Sequence, residues 1–201
     1  DGPIRYDMVV PAANLNGAQD GDKVLLEPRQ DGRGDWSQAA VQLVFGTGDR
    51  ARVCADAIIE RCGIPTQFSA EVLAQAEEIS KMTVTQADID SRLDLRDEPV
   101  FTIDSADAKD LDDAVSAHKT VDGYTLGVHI ADVSHYVKAG TPIDQEAFLR
   151  GTSVYFADRV IPMLPEALSN GVCSLNAGTE KLTFSALMDF DQEGHMTAYR
   201  F

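Results

Sequence analysis

The sequence predicts an α+β protein in three successive parts: an incomplete small β-barrel over residues 1–46, a helical connector over 47–98, and a mixed α/β region over 99–201. Three observations lead there. Strand-type runs separated by Gly- and Asn-containing turns fill the first part, the apolar period becomes helical in the second, and β-branched runs return from Val100 onward.

In the first part the strand signals are Met8–Val10, Lys23–Glu27 and Ala39–Phe45, with Asn16-Gly17 and Asp20-Gly21-Asp22 as turns between them. Three strands are too few to close a five-stranded barrel. Aromatics suited to stacking on bases are scarce there, with Tyr6, Trp36 and Phe45 available, so a structural role outweighs RNA binding. In the connector, Val53, Ala57 and Ile58 fall on helical spacing and Gly63 supplies a stop. Ser69 is placed to cap a helix carrying Val72, Leu73, Ala76 and Ile79, and Thr85 with Asp88 forms a capping box. These helices read as core contacts.

In the third part Val100–Ile103 reads as a strand. Asp112–His118 and Tyr124–Ala131 flank the turn signal Asp122-Gly123 and form a hairpin. Thr141-Pro142-Ile143-Asp144 opens a helix with a cap, a proline at the first position and an acid at the third, and this helix is expected to cover the hairpin. The last segment, 181–201, alternates apolar and polar residues across a Gly-containing turn and predicts a second hairpin.

Composition narrows the class further. With 44% hydrophobic residues the chain can fill a core, which excludes a disordered polypeptide. No apolar run approaches the ~20 residues needed to span a bilayer, and the opening residues lack the basic then apolar pattern of a signal peptide, so a cytoplasmic setting is expected. Cys54, Cys62 and Cys173 form no CxxC pair and read as reduced, mostly buried thiols rather than zinc ligands.

The most chemically loaded stretch is Asp104-Ser-Ala-Asp107-Ala-Lys-Asp110-Leu-Asp112-Asp113, five carboxylates in ten residues. Carboxylates crowded together resist ionising unless a cation compensates them, and hard oxygen donors suit Mg2+ or Mn2+. A solvated acidic loop is the ordinary alternative, but this run lies between two strand signals rather than in a tail. A calcium EF-hand does not fit: its sixth and twelfth positions require Gly and Glu, whereas counting from Asp104 gives Lys109 and Val115. Adjacent residues of a strand point to opposite faces, so Asp112 and Asp113 share a site only where the backbone turns, and an irregular loop is expected between Asp104 and Asp112.

The run Phe101–Val115 resembles the signature of the ribonuclease II and ribonuclease R (RNB) family of exoribonucleases. The similarity continues through Leu126–Val137, Arg150–Phe156, Val160–Pro165 and Leu168–Asn176, while Val10–Val24 is similar to the family's second cold-shock domain. The resemblance implies a partial cold-shock (OB-like) domain, the connector, and the N-terminal part of an RNB catalytic domain. The implied activity is metal-dependent 3′-to-5′ hydrolysis of single-stranded RNA to nucleoside 5′-monophosphates. It assigns metal binding to Asp104, Asp110, Asp112 and Asp113, ties Asp112 most directly to activation of the attacking water, and gives Tyr155 a stacking role near the RNA 3′ end. Asp107 has no counterpart and is expected to face solvent.

His129 and His135 match no catalytic position and read as hydrogen-bonded core or surface residues, with Asp132 positioning their segment. Asn170, Ser174 and Asn176 form a polar loop open to phosphate or backbone contacts. A formal net charge of −16 opposes phosphate binding by the chain alone. The resemblance places the RNA-clamping arginine and an S1 domain downstream, so the 201 residues are expected to be inactive by themselves. The competing reading is a non-catalytic RNA-binding or scaffold piece with a divalent-metal site.

Overall fold

The computed structural model describes residues 7–201. It divides into two compact units, one comprising residues up to 66 together with 155–160, the other comprising 67–154 and 161–201.

In the first unit, strands β1 (Asp22–Arg29) and β2 (Gln38–Thr47) pair antiparallel from Asp22 opposite Thr47 to Arg29 opposite Gln38. Two register shifts, at Lys23/Val24 and Leu25/Leu26, bend the ribbon as β-bulges do. The strand expected at Met8–Val10 reduces to a single bridge, Val9 to Gln38, because Pro11 follows and the chain turns into a 3₁₀ segment at Ala12–Asn14. The barrel is therefore open. Tyr6 lies outside the described residues, and Trp36 is exposed.

Helix α1 (Ala51–Cys62) packs on both strands with Ala55 and Ile59 inward, and it stops where predicted. Gly63 takes the left-handed conformation (φ 61°) and its N–H bonds to the carbonyl of Glu60, an arrangement a side chain would strain. Cys62, expected to be buried, is exposed at this helix end, while Cys54 is half-buried and only Cys173 is buried.

The second unit begins with helices α2 (Ala70–Ile79) and α3 (Gln86–Asp90). Ser69 Oγ accepts the Val72 N–H at 3.2 Å, and Thr85 and Asp88 form the reciprocal capping box. Val100–Ile103 is not a strand: Phe101 makes one antiparallel bridge to Val115, and Ile103 is 81% exposed. Strands β3 (Asp113–Lys119) and β4 (Gly123–Ala131) form the predicted hairpin. Helices α4 (Val133–Tyr136) and α5 (Pro142–Arg150) follow, the latter capped by Thr141. A short ribbon, β5 (Val154–Tyr155) with β6 (Val160–Ile161), precedes the closing hairpin of β7 (Thr183–Asp191) and β8 (Met196–Arg200).

The four longer strands make one antiparallel sheet in the order β3-β4-β7-β8. One face carries the buried positions Ala114, Ser116, His129 and Ala131. The opposite face presents Ile130, Phe184 and Tyr199, all exposed, with Phe201 stacked on Phe184 at 6.0 Å between ring centroids.

Helix α5 packs on α2 rather than covering the hairpin, because its apolar residues Ile143 and Ala147 match the stripe of Val72, Ala76 and Ile79. Tyr136, Leu168, Cys173 and Leu182 complete this core. Each large apolar side chain buried there contributes about 1.5–3 kcal/mol. Arg150, with its side chain 3% exposed, ties α5 to the start of the unit. It pairs with Glu146, donates to the carbonyl of Gln67 at 2.6 Å, and lies 3.8 Å over the Phe68 ring.

Candidate functional site

The acidic run forms the irregular loop that leads into β3. Between Ser105 and Ala108 it makes one turn closed by a 3.0 Å backbone hydrogen bond, and Asp107 faces solvent at its tip as expected. Asp104, Asp112 and Asp113 are also solvent-accessible, whereas Asp110 is half-buried. Asp112 stands one residue before β3, whose first residue is Asp113.

A fixed frame holds this loop. Ser174, fully buried, accepts the Leu111 N–H at 3.0 Å and donates to the Lys109 carbonyl at 2.8 Å. The Leu175 N–H donates to the Leu111 carbonyl at 2.8 Å, and the Ala131 N–H to the Asp112 carbonyl at 2.9 Å. Residues 109–112 are thus tied to the 174–175 segment and to the end of β4. Upstream of Ser174 the chain makes a wide π-type turn over Leu168–Val172, in which Lys181 Nζ donates to the Gly171 carbonyl at 2.7 Å and Asn176 donates to the Asn170 carbonyl at 3.1 Å. Of the two options for this polar loop, backbone contacts are what the geometry provides.

Electrostatically, Asp112 is the disturbed member of the group. Although water reaches the residue, protein atoms crowd its carboxyl; this lost hydration, followed by repulsion from Asp110, Asp113 and Asp104, raises its pKa above the usual carboxylate range. The donors are all hard oxygens, and their mutual repulsion at Asp112 is what a cation would relieve, so the residues fit a divalent ion in chemistry. Among the described residues, however, no three His, Cys, Asp or Glu side chains converge into a ready-made ligand group.

The histidines behave as expected of structural residues. His129 is buried with Nε2 3.0 Å from Ser116 Oγ and Nδ1 2.9 Å from Ser185 Oγ, and burial lowers its pKa, so the ring is held neutral between two hydroxyls. Asp132 caps α4 through the His135 N–H and accepts from Ser134 and, at 2.7 Å, from Arg92. Burial works against its charge, but those hydrogen bonds outweigh it and the pKa falls. Arg92 also donates to the Thr183 carbonyl, a long-range partnership with no local sequence signal.

Cys173 is inert, since burial pushes its thiol up to about 11. A groove of about 1070 Å³ opens beside Arg92, Phe101, Leu111, His129 and Arg200, but none of the four candidate aspartates lines it. Tyr155 is 64% exposed and belongs to the first unit, where the neighbouring Arg159 pairs with Asp56 of α1.

Against this geometry, comparison with known proteins is specific. The RNB domain family matches residues 92–201, more than half of the chain, and the cold shock domain family matches 1–69. The ribonuclease R of Thermotoga maritima is 45% identical over 203 residues, covering 99% of this chain and 28% of that protein. The 201 residues thus span about a quarter of this curated relative's length.

Among solved structures, Mycoplasma genitalium RNase R in complex with double-stranded RNA superposes with a TM-score of 0.79 at 30% identity, covering 96% of this chain and 34% of the other. Yeast Ssd1, described as a pseudonuclease, shares the fold with a TM-score of 0.69 at 15% identity, covering 96% of this chain and 26% of the other. A family signature carried by the acidic loop, the hairpin behind it and the 168–176 segment that clamps it, matched over more than half of the sequence, places the chain in the RNB family of exoribonucleases.

Proposed function

We propose that this chain carries the metal-binding acids of an exoribonuclease that hydrolyses single-stranded RNA from its 3′ end to nucleoside 5′-monophosphates, with Mg2+ or Mn2+ as cofactor. The observation that carries the proposal is the repulsion that Asp110, Asp113 and Asp104 exert on Asp112 in a loop whose backbone is clamped. Asp104, Asp110, Asp112 and Asp113 would hold the metal, which when bound supplies a water acidic enough to attack near neutral pH and relief of charge at the reacting phosphate. Asp112 would orient that water. Tyr155 would stack on a base near the 3′ end, a contact tolerant of sequence.

Isolated from the rest of the enzyme, the chain is expected to be inactive. Among the described residues no arginine contributes to the electrostatics at Asp112; the clamp on the reacting phosphate and an S1 domain are proposed to belong to other parts of the complete enzyme. The cellular setting proposed is the cytoplasm, where RNA and reduced thiols coexist; among the described residues no helix is long and apolar enough to cross a membrane.

The second reading, a non-catalytic RNA-binding or scaffold piece, draws on one observation: among the described residues the acids do not converge into a ligand group. Fold alone does not decide between the two. Replacing Asp112 by Asn in the complete enzyme separates them. Removal of a negative charge leaves attraction to phosphate intact, so a gel-shift titration should show RNA affinity retained while single-turnover cleavage slows by at least about 10²-fold. Affinity lost in parallel with cleavage would withdraw the catalytic role.

A further inference from the structure

We infer that Ser174 is a positioning residue for the acidic site: its hydroxyl fixes the backbone on both sides of Asp110 and thereby sets where Asp110 and Asp112 point. The inference rests on the reading of the acidic loop as a metal site.

The geometry is unusually direct. One oxygen accepts from the N–H of Leu111 and donates to the C=O of Lys109, the two backbone groups that flank Asp110. A hydroxyl has one proton to give and lone pairs to receive, so this bridge uses both capacities at once and fixes the proton's direction. Ser174 is fully buried between Cys173, which sits in the hydrophobic core, and Leu175, whose N–H adds a third bond at the Leu111 carbonyl. The serine is therefore anchored on the core side and reaches outward to a loop that has no regular structure of its own.

Four like charges on an irregular loop would spread apart if nothing restrained the backbone. The clamp opposes that spreading without adding a charge near the acids. Lys181 supports it from behind, holding the Gly171 carbonyl in the turn that precedes Cys173, with its amine partly desolvated and its pKa lowered by burial. In metal sites, partners that orient the ligands are worth about 10- to 100-fold in affinity or activity, and a displacement of about 1 Å at a reacting group costs about 10²-fold.

The test measures Mn2+ affinity of the 201-residue chain by calorimetry, together with amide hydrogen exchange at Leu111, in the wild type, Ser174→Ala, Ser174→Cys and Ser185→Ala. Ser185→Ala also removes a half-buried hydroxyl from a hydrogen-bonded pair, but one that serves His129 and lies outside the acidic loop. Ser174→Ala and Ser174→Cys should weaken Mn2+ binding about 10- to 100-fold and speed exchange at Leu111. Ser185→Ala should lower the melting temperature while leaving both readouts at wild-type values.

Ser174→Cys keeps the volume nearly unchanged, and it decides the matter if the alanine variant fails to fold. Unchanged Mn2+ affinity in a folded Ser174 variant overturns the positioning role and leaves the metal site standing. Absence of Mn2+ binding by the wild type overturns the metal site, and the positioning role with it.

Discussion

At the scale of single residues, the same side chain, aspartate, is held in two opposite electrostatic states. Asp112 is disfavoured as an anion by lost hydration and by its acidic neighbours, whereas Asp132 is favoured by Ser134, Arg92 and the cap of α4 despite its burial. The signs of their contributions to stability follow by linkage. The raised pKa of Asp112 favours folding while the group is protonated, a contribution present below the ordinary carboxylate range and lost as pH rises through its folded value. With metal chelated by EDTA at neutral pH, Asp112→Asn should therefore melt at a higher temperature than the wild type. The lowered pKa of Asp132 gives stability present above the ordinary range and lost as pH falls through the folded value. Asp132→Asn should accordingly unfold more easily at neutral pH, by about 1–3 kcal/mol in denaturant titration, because the charged hydrogen bonds from Arg92 are weakened. His129 has the same sign as Asp132 in a higher pH range: its lowered pKa penalises protonation of the folded state, so stability drops as pH falls below about 6.5, the ordinary histidine value. Comparison of melts at pH 7 and pH 5 in the wild type and His129→Gln checks this, the variant being expected to lose less on acidification.

At the scale of elements, turn and cap chemistry was the most legible signal. Gly63, Ser69, the Thr85/Asp88 pair and the Thr141-Pro142 start all perform the local roles their residue types suggest, because each satisfies backbone groups within four residues in sequence. The hairpins were equally readable from alternation around a turn. What the sequence did not reveal depends on distant partners. Val100–Ile103 has the composition of a strand but finds one bridge, since Phe101 alone meets Val115. Helix α5 was expected on the hairpin, and its apolar residues instead complete the core with α2. The acidic loop was visible as chemistry, but the clamp by Ser174 spans more than sixty residues of sequence and left no local trace. Gly127 belongs to the same class. It stands in β4 opposite Ser116, and a Cβ there would lie 2.4 Å from Ser116 Oγ and 2.6 Å from His129 Nε2. Gly127→Ala should thus destabilise the sheet by about 1–3 kcal/mol through overpacking, read in denaturant titration, with Mn2+ affinity retained as long as the fold persists.

For the whole molecule, charge and chemistry pull in different directions. A net charge of −16 repels RNA, while the acidic loop of the second unit carries carboxylates whose repulsion at Asp112 a cation would relieve. The isolated 201 residues should therefore bind single-stranded RNA weakly at physiological salt, with a gel shift only at high protein concentration; tight binding there would show that local basic groups outweigh the global field. The most direct test of the central claim is a thermal melt with and without millimolar Mn2+, run on the wild type and on Asp110→Asn/Asp112→Asn. A cation held by these acids stabilises the fold by mass action, so the wild-type melting temperature should rise with Mn2+ and that of the double variant should not. No rise in the wild type, or an equal rise in both proteins, would contradict a metal centre at this loop.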